Sequence, residues 1–219
     1  MSQQILLLGA TGRTGQLVLD EALSRGHRVV ALVRRPNALS QREGLTVIGG
    51  DPSVAADVQR ALVGCDAVIS TLNNNRASDA PWAKPVSPAG FMTGVMRHVV
   101  GAMQAQQVRR LALLSAAGAG DSFEHVPWLF RQLIRRTNLG HTYRDHDAQE
   151  RVVMDSGLDW TVARPVGLHD GEPKGSLVKT TGSDPKPGMR IARRSVARFL
   201  VASLDDPSSV ATAPVLSER

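Results

Sequence analysis

The stretch "LLLGATGRTGQLVLDEAL", residues 6–23, passes from a run of leucines through three glycines into an amphipathic segment. Gly9, Gly12 and Gly15 stand between a predicted strand and a predicted helix, where an ordinary tight turn does not require three glycines. Glycine inside a regular element costs about 0.5–1 kcal/mol relative to alanine. Three of them therefore indicate that another group approaches the backbone closely. In parallel α/β proteins that group is a pyrophosphate at the N-terminus of the helix.

The glycine segment thus predicts a dinucleotide bound along the whole turn. Its spacing, G-x-x-G-x-x-G, has one residue more between the first two glycines than the G-x-G-x-x-G fingerprint. Its position directly after an apolar run and before an amphipathic one is the context that the chemistry requires. The residues of this turn expected to bind the cofactor are Gly9, Thr11, Gly12, Arg13, Thr14 and Gly15.

The rest of the chain alternates short apolar runs with amphipathic ones. Strands are predicted at Gln4–Leu8, Arg28–Val33, Leu45–Gly49, Ala67–Leu72, Arg110–Ser115 and Asp159–Arg164. Helices are predicted at Thr14–Arg25, Val54–Val63, Ala89–Gln106, Pro127–Arg136, Thr142–Ser156 and Arg194–Leu204. Strands that alternate with helices of this length form βαβ units, and their right-handed crossovers place helices on both faces of a parallel sheet. The fold class predicted is therefore α/β, a Rossmann-like doubly wound parallel sheet.

No repeat, low-complexity tract or linker divides the 219 residues. We therefore expect residues 1–219 to form a single NAD(P)-binding Rossmann domain. The alternating pattern is lost after Pro165, where the chain becomes rich in glycine, proline and lysine. Residues 166–192 are expected to be a loop-rich segment on the substrate side, a small C-terminal lobe of the same domain.

The formal net charge of +6 is compatible either with a nucleic-acid partner or with an anionic small ligand. The basic residues are scattered, and one tyrosine and four phenylalanines offer little stacking surface, so no nucleic-acid partner is predicted. No apolar run approaches the ~20 residues of a membrane span, and no secretory signal is visible. We expect a cytoplasmic protein without a membrane partner, a monomer or weak homo-oligomer. Cys65 is the only cysteine and the histidines lack metal-ligand spacing, so no metal is assigned.

The end of the second predicted strand bears on the choice of dinucleotide. An NAD site carries an acidic residue there for the ribose 2′-hydroxyl, but this strand ends in "VVALVRRP". Arg34 and Arg35 suit the 2′-phosphate of NADP(H), which Arg13 could also reach, since guanidinium groups bind phosphate through two charged hydrogen bonds. The alternative is that these arginines are solvated loop residues. The cofactor predicted is NADP(H).

Two further segments are expected to line the cofactor. Asp51 in "GGDPS" is a candidate for the adenine amino group, or else part of a helix cap for which Ser53 is the better candidate. Thr71, Leu72 and Asn73 end the fourth predicted strand. Carboxyl ends of strands form the ligand crevice of such sheets, so these three residues should face the cofactor.

Several motifs together resemble one superfamily over nearly the whole chain. "GATGRTG" at 9–15, "ALVRRP" at 31–36, "GD" at 50–51 and "ARP" at 163–165 resemble the atypical short-chain dehydrogenase/reductases. "YRDHDAQERVVMDSGLDWTVARP" at 143–165 is similar to the NAD(P)H-binding branch that includes biliverdin IXβ reductase/flavin reductase, and NmrA-like regulators are more distant. The resemblance implies that the backbone around Pro165 and Val166 holds the nicotinamide carboxamide.

The resemblance also identifies candidate catalytic residues and one departure. Ordinary members carry Tyr-x-x-x-Lys, whereas here Thr142 takes the tyrosine position, His146 takes the lysine position and Tyr143 is offset by one. Ser115 stands where the superfamily has its catalytic serine. His146 resembles the histidine of the flavin/biliverdin reductase branch. With a pKa near 6.5 it is a candidate either to donate a proton or only to hold the nicotinamide ribose.

A site without a strong protein acid favours acceptors that take up hydride by themselves, such as flavins, quinones and linear tetrapyrroles. We therefore predict an enzyme, an NADPH-dependent oxidoreductase whose partner is a small planar, electron-poor acceptor. The alternative is a non-enzymatic, NmrA-like redox sensor that binds NADP(H) and a protein. An epimerase or reductase of small carbonyl compounds is a third candidate. The presence of Ser115 and His146 favours the enzyme, and the incomplete catalytic set favours the sensor.

Overall fold

The computed structural model describes residues 2–219 and shows an α/β architecture. The strands are β1 Gln4–Leu8, β2 Arg28–Val33, β3 Leu45–Gly49, β4 Ala67–Ser70, β5 Arg110–Leu114, β6 Asp159–Pro165, β7 Gly167–His169, β8 Leu177–Thr180, β9 Arg190–Ala192 and β10 Val215–Glu218. The helices are α1 Arg13–Ser24, α2 Ala55–Leu62, α3 Phe91–Ala105, α4 Trp128–Arg136, α5 Leu139–Met154 and α6 Arg193–Ser203. Within residues 2–219, no helix has the length and apolar character needed to cross a membrane.

Eight strands form one sheet in the order β3-β2-β1-β4-β5-β6-β10-β8. Every pair in it is parallel except β10 with β8, which is antiparallel. The first six positions have the strand order of the doubly wound Rossmann fold, and the chain changes direction across the sheet between β1 and β4. The predicted fold class is confirmed. Ligands of such sheets bind beyond the carboxyl ends of the strands at this switch point.

Strand β1 shows why the sequence contains continuous apolar runs. Ile5 and Leu7 belong to the core on one face of the sheet, which α1 and α6 cover, and Leu6 and Leu8 belong to the core on the other face. That second face is covered by α2, α3 and α5. All four side chains are completely or almost completely buried. A parallel strand that is covered on both faces has no polar side, so its sequence does not alternate.

The predicted elements before residue 165 recur with ends that differ by at most three residues, and β1, β2 and β3 have the predicted ends. The largest shift is at α5, which begins at Leu139 rather than Thr142, and β4 ends at Ser70 rather than Leu72. Helix α3 begins at Phe91, two residues after the predicted start, because Gly90 precedes it with a left-handed φ of 72°. Such a φ is accessible to glycine and costly for other residues.

The part of the chain after Pro165 contains strands that the sequence pattern did not predict. β7, β8 and β9 lie within residues 166–192, and β10 follows α6. β10 inserts beside β6 and carries β8 as the outer strand, while β7 and β9 form a separate parallel pair. Each has only three or four residues, too few for a period-two pattern to emerge from a glycine- and proline-rich background.

Candidate functional site

The glycine turn between β1 and α1 has two glycines that the protein itself requires. Gly9 has a φ of 85°, and a Cβ there would lie 2.7 Å from Oγ1 of Thr71. A Cβ on Gly15 would lie 1.9 Å from the carbonyl oxygen of Gly9. Neither distance is possible for a real side chain. These two glycines therefore allow the turn to fold back onto the start of α1 and the end of β4.

Gly12 is different, because the protein leaves space beside it. Its φ is −80°, and a Cβ there would meet only the carbonyl oxygen of Gly9, at 3.3 Å. Gly12 is also the N-cap of α1, where no side chain caps the helix and no acidic residue occupies the first turn. The first N–H groups of a helix lack intrahelical partners and attract anions. The open space at Gly12 and the uncapped α1 therefore fit a pyrophosphate.

Arg13, at the start of α1, is directed to two carboxylates. Its Nη2 lies 3.1 Å from Oδ1 of Asp79, in the segment that follows β4. Its Nη1 lies 4.0 Å from Oδ2 of Asp170, which follows β7. All three side chains are more than half exposed. Arg13 thus connects the glycine turn with two loops, and it would have to leave these carboxylates in order to bind a phosphate.

Arg34 and Arg35 follow β2 and have exposed side chains. Across residues 2–219, neither guanidinium lies within ion-pair distance of a carboxylate. Both are therefore available to an anion from outside the chain. Their place at the carboxyl end of β2 is where the 2′ group of a dinucleotide is read in this fold.

Asp51 organises its own turn. Its Oδ1 accepts hydrogen bonds from the backbone N–H and the hydroxyl of Ser53, at 2.9 and 2.7 Å. The backbone hydrogen bond from Ser53 is the main cause that lowers the pKa of Asp51, and the charge of Arg34 adds a smaller contribution. The N-cap of α2 is Val54, without a side-chain cap, so the interpretation of Ser53 as a helix cap is wrong. The reason is that Ser53 lies one residue before the N-cap, with its hydroxyl directed to Asp51.

Thr71, Leu72 and Asn73 follow β4 at the same edge of the sheet. Both the backbone N–H and the hydroxyl of Thr71 donate to the carbonyl of Leu8, at 2.9 and 3.0 Å. Thr71 thus fixes the end of β4 to the end of β1 beneath the glycine turn. Leu72 is partly buried against the core, and Asn73 is exposed.

Ser115 and His146 lie together beyond the end of β5. The Oγ of Ser115 is 3.4 Å from Nδ1 of His146, and Nε2 of Gln149 is 2.8 Å from the same nitrogen. Nε2 of His146 has no hydrogen-bond partner within residues 2–219. Burial lowers the pKa of His146 to about 4, although the charge of Asp145 acts in the opposite direction. His146 is therefore neutral at physiological pH.

Asp145, which the sequence did not single out, fixes the position of α5. Its buried carboxylate accepts hydrogen bonds from the backbone N–H groups of Met92 and Thr93, at 2.9 and 3.0 Å, and from the amide of Asn74 at 3.0 Å. These are N–H groups of the first turn of α3, so Asp145 caps that helix from another element. His146 follows it directly in the chain. Its partners lie more than 50 residues away along the chain, so no local motif could have identified it.

The residues around the tyrosine position provide no acid. Thr142 is buried and has no ionisable group. The hydroxyl of Tyr143 donates to the carbonyl of Ala117 at 3.2 Å, and burial raises the pKa of Tyr143 to about 12. Tyr143 therefore stays protonated and bound to the backbone, and it does not replace the phenol that the sequence lacks.

The "ARP" motif at the end of β6 contains a buried ion pair. Nη2 of Arg164 lies 2.7 Å from Oε2 of Glu150 in α5, and both side chains are almost fully buried. A third charge, Asp121, lies 2.7 Å from Nη1 of Arg164. The motif itself does not reveal this partner, because Glu150 lies 14 residues earlier in the chain. The pair joins α5 to β6 behind the candidate catalytic residues.

The backbone that was expected to hold a carboxamide is partly engaged in the sheet. The carbonyl of Pro165 accepts a hydrogen bond from Ala117 at 2.9 Å, and the N–H of Val166 donates to Leu216 at 3.0 Å. The N–H of Val166 is therefore occupied in this arrangement, whereas the carbonyl of Pro165 has a second lone pair that can accept another hydrogen bond. A contact between a carboxamide and this segment remains a prediction.

Comparison with known proteins reveals relatives over most of the chain. A photosystem II assembly factor, Ycf39 of Synechocystis, is 26% identical over 219 residues, which cover 99% of this chain and 63% of that protein. A (4-alkanoyl-5-oxo-2,5-dihydrofuran-3-yl)methyl phosphate reductase of Streptomyces griseus is 31% identical over 162 residues, 74% of this chain and 46% of that one. The chain thus spans less than two thirds of the length of both relatives.

Solved structures share the fold over nearly the whole chain. The anaerobilin reductase ChuY of Escherichia coli O157:H7 superposes with a TM-score of 0.80 at 23% identity, covering 98% of this chain and 97% of that one. The profile of the NAD(P)H-binding family matches residues 9–207, from the first glycine of the turn to the segment after α6. A glycine turn before a helix without a side-chain N-cap, on a sheet with Rossmann strand order, agrees with that match. The chain therefore belongs to the NAD(P)H-binding family.

Proposed function

We propose that this protein is an NADPH-dependent oxidoreductase that transfers hydride to a planar, electron-poor acceptor of the flavin, quinone or tetrapyrrole type. The observation that carries the proposal is the absence of a usable acid among the described candidates. His146 is neutral because burial lowers its pKa to about 4, and Tyr143 is bonded to a carbonyl with a pKa raised to about 12. Acceptors of this type spread the added charge over a conjugated system and can take their proton from water.

In this proposal the cofactor lies across the carboxyl ends of β1, β2 and β4. The N–H groups at the start of α1 hold the pyrophosphate, and Gly12 leaves the space for it. The unpaired Arg34 and Arg35 bind the 2′-phosphate, which favours NADPH over NADH. Asp51 keeps one carboxylate oxygen free of the Ser53 contacts and remains the candidate for the adenine amino group.

The bound cofactor supplies a hydride from its nicotinamide ring. The task of the chain is to hold that ring and the acceptor face to face and to exclude competing reactions. Ser115 and the neutral His146 hold the nicotinamide ribose through hydrogen bonds, since Nε2 of His146 has no partner among the described residues. In the proposed role His146 positions the ribose and does not donate a proton.

Ketones and aldehydes are poor substrates under this proposal. Their reduction places a full negative charge on one oxygen, which enzymes stabilise with a positioned acid or hydrogen-bond donor. Ser115 is the one hydroxyl of the usual catalytic set that remains. Without a neighbouring phenol, it offers a hydrogen bond but no readily lost proton.

The test is NADPH oxidation with a panel of flavins, quinones, linear tetrapyrroles and simple ketones, followed at the absorbance of the reduced nicotinamide. We expect turnover with at least one planar acceptor at a rate well above that with any ketone. Faster turnover of ketones than of every planar acceptor would contradict the proposal. A variant with Gly12→Val, assayed with the same panel, controls for reduction that does not use the dinucleotide site.

A second candidate is a non-enzymatic NADP(H)-binding regulator of the NmrA-like kind. The relative named as a photosystem II assembly factor supports this candidate, and so does the deep burial of His146. Equilibrium binding distinguishes the two functions. Tight NADPH binding without oxidation by any acceptor in the panel would favour the regulator over the enzyme.

A further inference from the structure

A cavity of about 390 Å³ opens between the first turns of α3 and α5, below the segment that connects β4 to α3. Its walls come from α3, α5 and that connecting segment, and Thr142 forms part of the lining. Thr142 stands one helical turn before His146 on α5, so the cavity lies about one turn of that helix from the proposed nicotinamide site. Its volume is within the range of about 300–1,000 Å³ that is usual for small-molecule sites.

Two cationic side chains and an imidazole line this cavity from two helices. Arg97 comes from α3, and His141 and Arg144 come from the first turns of α5. All three are exposed, and within residues 2–219 none makes an ion pair or a side-chain hydrogen bond. Cationic groups that face one cleft raise the local concentration of anions. The two guanidiniums of this cleft have no ion-pair partner among residues 2–219.

The lining contains one acid, Asp145, which offsets part of this positive charge. The carboxylate of Asp145 is buried and already accepts hydrogen bonds from Met92, Thr93 and Asn74. A further donor is available at Ser87, whose oxygen accepts from the backbone of Asn75 and whose O–H is free to donate. The polar groups left over in the cavity are two guanidiniums, an imidazole, the hydroxyls of Ser87 and Thr142, and the amide oxygen of Asn74. Among them the two guanidiniums carry a permanent charge, which is positive.

We propose that this cavity binds an anionic substituent of the acceptor, a carboxylate or phosphate carried on a side chain of the planar ring system. The inference rests on the proposed function, because it places the reacting ring beside Thr142 and His146. Arg97 and Arg144 hold the anion from opposite walls through charged hydrogen bonds, which planar guanidiniums form with two oxygens at once. The protein then prefers acidic acceptors to neutral ones that have the same ring.

Two pairs of acceptors test this preference while keeping the ring constant. Riboflavin and FMN share the isoalloxazine ring, and FMN adds a phosphate. A linear tetrapyrrole dicarboxylic acid and its dimethyl ester differ only in the carboxylates. We expect the wild-type KM to be about tenfold lower for the anionic member of at least one pair, since a hydrogen bond to a charged group contributes that much to binding or more. The pair that responds identifies phosphate or carboxylate as the group bound.

Variants assign the preference to the cavity. Arg97→Gln combined with Arg144→Gln should raise KM for the anionic acceptor about tenfold and leave KM for its neutral partner unchanged. Arg151→Gln is the matched control, because Arg151 is an exposed arginine on the same helix outside the cavity lining. Equal KM values within both pairs of acceptors would overturn the proposal. An increase in KM for Arg151→Gln as large as that for the double variant would also overturn it, since the general positive charge of the protein would then explain the preference for anionic acceptors.

Binding without turnover separates this proposal from the proposed function. Quenching of flavin fluorescence measures the affinity of FMN and riboflavin for the protein saturated with NADP⁺, in which no hydride is available. Tighter binding of FMN that the double variant abolishes supports the cavity even if no acceptor in the panel oxidises NADPH. The opposite result is oxidation of NADPH with equal affinities for FMN and riboflavin in both wild type and the double variant, and with equal KM values for the tetrapyrrole acid and its ester. In that case the cavity has no role in binding the acceptor.

Discussion

Substitutions at Gly12 and Gly15 distinguish a glycine that a ligand requires from a glycine that the fold requires. In the proposed site, a valine at residue 12 would project into the space left for the pyrophosphate. The same turn offers a matched comparison in Gly15, three residues later. We therefore compare Gly12→Val with Gly15→Ala, two substitutions that both add a Cβ to the turn between β1 and α1.

The structure predicts different magnitudes for the two variants. At residue 12, the φ of −80° suits valine, and the carbonyl of Gly9, 3.3 Å from a Cβ, must move by only a few tenths of an ångström. Valine is a poorer N-cap than glycine, which costs about 1 kcal/mol, or about 2–4 °C in Tm for a chain of this size. At residue 15, a Cβ would lie 1.9 Å from a backbone oxygen. That overlap should cost more than about 4 kcal/mol, or about 10 °C in Tm.

Thermal unfolding followed by circular dichroism measures stability, and titration of NADPH fluorescence measures binding. Gly12→Val should melt close to wild type and bind NADPH about a hundredfold more weakly, because it loses at least two charged hydrogen bonds to the pyrophosphate. Gly15→Ala should melt far earlier. Wild-type affinity in Gly12→Val would refute the reasoning, since this glycine would then serve only the turn. Similar melting of the two variants would show that the steric comparison is wrong.

Three further predictions follow from charged and titratable groups. NADPH should bind about ten- to a hundredfold more tightly than NADH, and equal Kd values in wild type would refute this prediction. The double variant Arg34→Gln, Arg35→Gln should lose the preference for NADPH. The control Arg28→Gln, at the other end of β2, should keep it. The pKa of His146 is lowered to about 4 in the folded protein, below its unfolded value near 6.5, so the unfolded chain binds more protons between these values and stability falls as pH drops through this window. Urea unfolding should show that loss, on the order of 3 kcal/mol, in wild type and not in His146→Gln. The wild-type rate of NADPH oxidation should stay flat between about pH 5 and 8. A rate that falls with rising pH in wild type, but not in His146→Gln, would instead identify His146 as a proton donor. Glu150→Gln should destabilise the protein by about 3–5 kcal/mol in urea unfolding, because it leaves Arg164 without its buried partner; a loss below about 1 kcal/mol would show that Asp121 is a sufficient counter-ion.

The local features of this protein could be predicted from its sequence. The apolar runs, the glycine turn and the arginines after β2 each depend on residues that are adjacent in the chain. The requirement for glycine at residue 15 is of this kind, because a Cβ there would meet the carbonyl of Gly9 within the same turn, whereas Gly9 also makes room for Thr71 beyond β4. Parallel strands covered on both faces have an unmistakable apolar sequence, which is why the fold class and the order of elements up to β6 were predicted correctly.

The state of the candidate catalytic residues was decided by the tertiary structure. His146 and Tyr143 are ordinary titratable residues in the sequence, and only their burial moves the pKa of the first to about 4 and of the second to about 12. Asp145 caps α3, and Arg164 meets Glu150, across separations that no local pattern encodes. The strand β10 also depends on tertiary structure, because its four residues form a strand by hydrogen bonding to the edge of β6. Desolvation and long-range pairing are properties of the packed molecule, whereas backbone conformation and apolar periodicity are already properties of the chain.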